Sequence, residues 1–218
     1  RSAVTLKAKH LRQFDREFGR LSAADPAMSV LEIGCGAGLF LRYLENRGYR
    51  RIVGVDVDDR LKSVLGDLTR TELLFGDIRA LAETALKNET FDRIALFDVV
   101  EHIELSTLIP LMRTLRKLLT PEGRLVIRTP NVSSPWGVKM FFDSFDHVTP
   151  LTPARMEELA AMTGYTVLGR YEQLPTKPGK RLAQGAVHAL LSWALAYRPD
   201  IWSANFIAVL SARNEVPA

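Results

Sequence analysis

Four acidic residues in the first half of the chain close short apolar runs. Glu32 follows Val30-Leu31, Asp56 follows Ile52-Val53-Gly54-Val55, Asp77 lies just past Leu73-Leu74-Phe75, and Asp98 follows Ile94-Ala95-Leu96-Phe97. In an open parallel sheet, ligands bind outside the carboxyl ends of the strands, so carboxylates at those ends can hold a ligand's hydroxyl or amine groups. Beyond Glu32 runs Gly34-Cys35-Gly36-Ala37-Gly38, a turn in which glycine lets the backbone approach a ligand closely at a helix N-terminus. Asp56 comes soon after that turn, where a carboxylate can grip a pair of ribose hydroxyls; an N-cap for residues 58–65 is the structural alternative. Asp77 can accept from an exocyclic amine, and Ile78 can present an apolar face to a ring.

Two imidazoles are candidate general bases: His102, just past the fourth apolar run, and His147, in a later aromatic-rich loop. Each could instead simply anchor its own segment. Asp98, Glu101 and His102 stand at i, i+3 and i+4 and would share one face of a helix, a set suited either to a divalent cation or to a helix-capping network. Carboxylates beside His102 are expected to keep it protonated. His147, with only the adjacent Asp146 for company, is then the ring expected to be neutral near pH 7 and able to take a proton.

The elements that position these residues follow from periodicity. Leu6, Leu11, Phe14, Phe18 and Leu21 recur at helical spacing, giving a leading amphipathic helix that could cover the core or serve as part of a lid. Strands are expected at 30–33, 51–56, 72–75, 92–97, 124–128, 165–171 and 205–212, with helices at 39–47, 79–86, after Asp98, and between Thr152-Pro153 and Gly164. Strands alternating with helices imply a mostly parallel sheet covered on both faces, in one domain spanning 1–218. Two stretches depart from that alternation. Residues 129–150 form a long loop holding Trp136, Phe141, Phe142 and Phe145, and residues 174–202 contain a basic-then-apolar helix; both are read as insertions on the substrate side. The segment from Lys177 to Tyr197 is expected to pack over the sheet rather than bind a membrane, although Lys177, Lys180 and Arg181 could meet anionic lipid.

Composition narrows the function classes. The formal charge is +4, but the basic residues are scattered and do not interleave with aromatics as in a nucleic-acid stacking platform. The single cysteine, Cys35, cannot make an internal disulfide, and a reducing, cytoplasmic setting is expected. The longest apolar run, Ala186 to Tyr197, is too short to span a bilayer. A dinucleotide fingerprint would require glycine where Leu39 stands, which argues against a nicotinamide-dependent oxidoreductase.

Taken together, Glu32 with the glycine turn, Asp56, Gly76-Asp77-Ile78, Phe97 to His102 and Leu119-Thr120-Pro121-Glu122-Gly123 resemble the successive motifs of class I S-adenosylmethionine-dependent methyltransferases. The Val-Val-Glu-His-Ile run, with Asp146 to Pro150 and Gly164-Tyr165, resembles the subgroup that holds ubiquinone O-methyltransferases and sugar or natural-product O-methyltransferases. That resemblance implies a Rossmann-like α/β fold with a mostly parallel seven-stranded sheet, helices on both faces, and an antiparallel last strand inserted beside the sixth. It implies S-adenosyl-L-methionine as cofactor, bound by Glu32, Gly34, Cys35, Gly36, Gly38, Asp56, Val57, Asp77, Ile78 and Phe97. It also implies methyl transfer to a small-molecule hydroxyl, with His147 and His102 as catalytic candidates; no metal ligand is assigned, and a divalent cation at Asp98, Glu101 and His102, of the kind some quinone-type relatives are thought to use near this motif, stays open. The acceptor is not fixed by the resemblance, since such families share a cofactor half and vary the rest. A non-catalytic, methyltransferase-like binding subunit is the competing reading.

Overall fold

The structure, a computed structural model, describes residues 4–213. Seven strands form one sheet: β1 (Ser29–Ile33), β2 (Arg51–Asp56), β3 (Thr71–Phe75), β4 (Phe91–Phe97), β5 (Leu119–Pro130), β6 (Tyr165–Glu172) and β7 (Asn205–Ala212). Their order is β3-β2-β1-β4-β5-β7-β6, with β7 antiparallel to both of its neighbours and the remaining pairs parallel. The unbroken apolar character of Val30-Leu31 and Ile94-Ala95-Leu96 is what a central parallel strand needs, because helices cover both of its faces.

On one face, α3 (Ile78–Glu83), α4 (Leu105–Lys117) and α6 (Pro153–Thr163) enclose a core that includes Leu31, Ile94, Leu108, Met112 and Met156. The start and stop of α6 are written locally: the Thr152 hydroxyl accepts the N–H of Arg155, Pro153 opens the first turn, and Gly164 ends the helix at φ 81°. On the other face, α1 (Ala8–Phe14), its π-type continuation Asp15–Arg20, and α2 (Leu39–Arg47) close over Phe14, Phe18, Phe40, Tyr43 and Tyr49. Phe14 and Phe18 are buried within this aromatic cluster and pin the N-terminal helix to the sheet. Of the two roles open to it from the sequence, covering the core is the one the packing displays.

Two further helices sit beyond the strand ends: α5 (Pro135–Phe142) and α7 (Pro178–Ala194). The expectation that the 177–197 segment packs over the sheet holds along one narrow line only. His188 stacks on Trp202 with ring centroids 5.5 Å apart, and the Trp202 indole N–H donates to the Ser192 hydroxyl at 2.8 Å. Leu182, Val187, Leu190 and Trp193 instead stay exposed, because the side that meets the protein is formed by His188 and Ser192, with Gln184 and Leu191 partly covered beside them.

Candidate active site

The glycine turn joins β1 to α2 at the centre of the sheet's carboxyl edge. Gly34, Gly36 and Gly38 have φ of 70°, 51° and 74°, the left-handed region that side chains disfavour. The reason for glycine differs along the turn. A Cβ on Gly34 would lie 2.6 Å from Val99 and one on Gly38 2.5 Å from Leu65, so these two glycines make room for the protein itself. A Cβ on Gly36 would meet nothing within 4 Å, and it is here that the backbone faces open space. The carboxylate of Asp56 holds the turn in shape: Oδ2 accepts the N–H of Gly36 at 2.8 Å, and Oδ1 accepts that of Asp58 at 3.0 Å. Each oxygen keeps a further lone pair for a ligand hydroxyl. Asp58, not Asp56, caps the short 3₁₀ turn Asp59–Ser63.

Beneath the turn, Glu32 is fully buried and its Oε2 has no hydrogen-bond partner among the described residues. Burial pushes its pKa well up, and nearby Arg128 only partly counters this. Burial likewise pushes the Cys35 thiol up, so it stays protonated and unreactive, as expected for a residue placed by backbone geometry.

A cavity of about 570 Å³ opens over this edge, a volume suited to a nucleoside-sized ligand. Gly34, Asp56, Val57, Asp77, Ile78 and Asp98 line it, bringing together residues from the ends of four strands. Asp77 also caps α3, accepting from the N–H of Arg79 at 2.8 Å; hydrogen bonds from the Arg79 side chain hold its carboxyl below the usual range. Val57 is largely exposed at the rim, while Ile78 is buried in the wall. Thr107 and Leu111, one turn apart on α4, complete that wall; an apolar helix face beside the fourth strand was their only signal in the sequence. Phe97 is placed differently from its expected role as a cofactor wall. Its ring sits in the aromatic cluster with Phe14 and Phe40, under the Arg128 guanidinium at 4.9 Å, and does not line the cavity. Side chains alternate along a strand, and in this register Phe97 points to the α1/α2 face.

The grouping of Asp98, Glu101 and His102 on one helical face does not occur. Asp98 adopts φ 58°, and α4 begins only at Leu105, so the three residues lie on a left-handed turn followed by a single 3₁₀ turn, Val100–His102. Asp98 turns to Arg128 of β5, whose Nε donates to its Oδ1 at 2.9 Å. A second branch from Arg128 reaches buried Glu17 at 3.0 Å, so an ion-pair chain ties the end of β4 to the N-terminal helix. Nothing in the spacing of Glu17, Asp98 and Arg128 marks them as partners.

A different trio assembles instead. Glu101, His102 and His147 offer a carboxylate oxygen and imidazole nitrogens that all lie within 4.8 Å of one another, a set also able to hold a metal ion. The two rings meet edge-on, with centroids 4.7 Å apart. The carboxylate partners are the reverse of those expected: Asp146 lies 3.3 Å from His102 Nδ1, while His147 faces the buried Glu101. Burial raises the Glu101 carboxyl to about 7, and its Oε2 accepts from the Thr129 hydroxyl at 3.0 Å. His147 Nδ1 lies 2.9 Å from the carbonyl oxygen of Phe141, which can only accept; Nδ1 therefore carries a proton, and in the neutral ring Nε2 is the nitrogen with the lone pair. His102 lines the large cavity directly, and His147 stands behind it.

A family model described as a methyltransferase domain matches residues 7–169, most of the chain. The chain belongs to that family. Among curated relatives, this methyltransferase is 31% identical to the ubiquinone biosynthesis O-methyltransferase of Rhizobium etli (strain CIAT 652) over 106 residues, 48% of this chain and 42% of that protein. The match spans less than half the length of that relative. Among solved structures, it resembles a SAM dependent methyltransferase from Archaeoglobus fulgidus (TM-score 0.64, 18% identity, 92% of this chain and 90% of that one). It also resembles the CcbJ methyltransferase of Streptomyces caelestis (TM-score 0.67, 16% identity, 94% and 90% covered). At such identities the likeness is one of fold, and the fold is that of S-adenosylmethionine-dependent methyltransferases.

The methyltransferase's own residues fit that cofactor. The open space at Gly36, the ligand-facing lone pairs of Asp56, and a cavity running on to Asp77 and Ile78 form a cradle for a nucleoside with a charged tail.

Proposed function

We propose that this methyltransferase moves a methyl group from S-adenosylmethionine to a hydroxyl oxygen of a small organic acceptor, a phenol or quinol, a sugar, or a related natural product. When bound, the cofactor supplies an electrophilic methyl on a sulfonium and departs as the neutral thioether S-adenosylhomocysteine. Asp56, whose carboxylate oxygens keep lone pairs beyond those given to Gly36 and Asp58, would hold the ribose hydroxyls, and the open backbone at Gly36 would receive the amino-acid end. Asp77 would accept from the adenine amine, and Ile78, buried in the cavity wall, would pack against the ring. The acceptor oxygen attacks the methyl carbon in line with the breaking carbon–sulfur bond, so positioning carries most of the rate enhancement.

The hydroxyl proton passes to the cluster beside the cavity. His147 is the base: its Nδ1–H is held by the Phe141 carbonyl, which leaves Nε2 to accept. His102 forms the cavity wall between His147 and the acceptor, so the proton reaches His147 by relay past that ring, and Glu101, buried against His147, steadies the imidazolium once its own carboxyl is ionised, above about pH 7. The tautomer set by Phe141 is the observation that carries this reading. The relative from Rhizobium etli, named as an O-methyltransferase, supports oxygen as the atom methylated.

The test is incubation with S-adenosylmethionine and a panel of phenolic, quinol and sugar acceptors, with S-adenosylhomocysteine and methylated product followed by mass spectrometry. O-methyl ethers formed in equal amount with S-adenosylhomocysteine support the proposal. Cofactor binding without turnover on any acceptor class would favour the non-catalytic binding subunit.

A further inference from the structure

Helix α7 is laid on the protein inside out. Its polar residues His188 and Ser192 face inward onto Trp202, as described above. Its apolar residues Leu182, Ala186, Ala189, Leu190 and Trp193 fall at i, i+4, i+7, i+8 and i+11, which is one continuous helical face turned away from the protein. Leu182, Leu190 and Trp193 are 77%, 61% and 84% exposed. A soluble helix normally buries its apolar stripe, and a contiguous exposed one marks an interaction surface. The patch does not end with the helix: Trp136 of α5 borders it across a groove shared with Ala183 and Val187, and Tyr197 stands fully open beyond its C-terminus.

The charge around this face selects its occupant. From Gln173 to Pro199 the chain carries Lys177, Lys180, Arg181 and Arg198 and no acidic residue. The cations gather at the N-terminal end of the apolar stripe, with Arg198 beyond its C-terminus, two residues before Asp200. A second copy of the chain docked on this face would set these cations against their own kind, with no carboxylate from either helix to pair them. An anionic bilayer surface meets both requirements at once, taking the leucines into the acyl boundary and placing basic residues among its headgroup phosphates. Trp193 and Tyr197 are the residue types that favour the headgroup level.

We infer that the exposed face of α7 docks the protein on an anionic phospholipid membrane surface. The segment lies in the interface plane and does not cross it, in keeping with the absence, among the described residues, of any helix long and apolar enough to span a bilayer.

The experiment is flotation of the protein with phosphatidylcholine vesicles, with and without phosphatidylglycerol, at low and high salt. Binding should be at least about tenfold tighter with phosphatidylglycerol and should weaken as salt rises. Leu190→Ser with Trp193→Ser, and separately Lys180→Glu with Arg181→Glu, should each reduce it by at least about tenfold, with circular dichroism unchanged because all four positions are exposed. Brominated lipids should quench the wild-type tryptophan emission and quench Trp193→Phe distinctly less; this reading does not depend on the double variants folding. The inference is overturned if the wild type ignores phosphatidylglycerol or if the double variants float like the wild type. It is equally overturned if sedimentation shows a dimer that Leu190→Ser dissociates while vesicles are not bound.

Discussion

Glu101 gives the active-site cluster a signature that can be read without knowing the acceptor. Its side chain is buried beside His147, with the Thr129 hydroxyl donating to it, and burial lifts its carboxyl from 4.5 to about 7. Between those two values the native state holds a proton that the unfolded chain has released. Its contribution to stability is therefore fullest below pH 4.5, declines as pH rises toward 7, and levels off above it. At 1.36 kcal/mol per pH unit, the interval corresponds to a loss of about 3 kcal/mol from this one group. Glu101→Gln keeps the shape and an acceptor for Thr129 but removes the titration. Urea unfolding of both proteins at a series of pH values isolates the effect of Glu101 and its coupling to Asp98 and His147, because the contributions of groups not coupled to it cancel in the difference. The gap between the two stabilities should change by about 3 kcal/mol across the interval, with the variant gaining on the wild type as pH rises. Two curves that stay parallel from pH 4.5 to 7 would refute the placement of a protonated Glu101 in this cluster.

His147→Ala should lower kcat by roughly 10²- to 10⁴-fold while cofactor affinity stays within about threefold; steady-state kinetics alongside calorimetry separates the two. A folded, cofactor-bound His102→Ala that is inactive beside a fully active His147→Ala would reverse the roles proposed for the rings. Exhaustive treatment with a chelator should leave turnover unchanged if the cluster acts as a base. Lost activity restored by a divalent cation would instead make Glu101, His102 and His147 its ligands. Arg128→Leu strands Glu17 without its buried partner, a loss of about 3–5 kcal/mol, which calorimetry should record as a fall in Tm on the order of 10 °C.

Much of this molecule was legible in its sequence, and the residues show why. Strands with unbroken apolar runs and helices closed by Gly48 or Gly164 are local statements, and Leu39–Arg47 and Pro153–Thr163 fall where they were expected. Likewise Asp56, Asp77 and Ile78 meet in one cavity because the carboxyl ends of parallel strands must lie side by side. What was not legible depends on tertiary geometry. The left-handed turn at Asp98 breaks the helical spacing that joined it to His102, and only its partner on β5, Arg128, accounts for where it points. His147 reaches Glu101 across 46 residues, and no periodicity encodes that meeting. The Phe97 ring turns to the α1/α2 cluster because a strand's register decides which face each side chain takes, and one residue along the strand inverts the answer. Helix α7 had an apolar side at helical spacing, but spacing cannot say whether that side faces the protein or the surroundings.

The central claim, that the glycine turn and Asp56 form an S-adenosylmethionine site, is tested most directly by calorimetric titration with S-adenosylhomocysteine. One site of micromolar-range affinity is predicted, with no measurable heat from NAD. Asp56→Ala should weaken binding by about 1.5–3 kcal/mol through loss of charge-assisted hydrogen bonds to the ribose. Absence of binding to the wild type, or equal affinity in wild type and Asp56→Ala, would contradict the account.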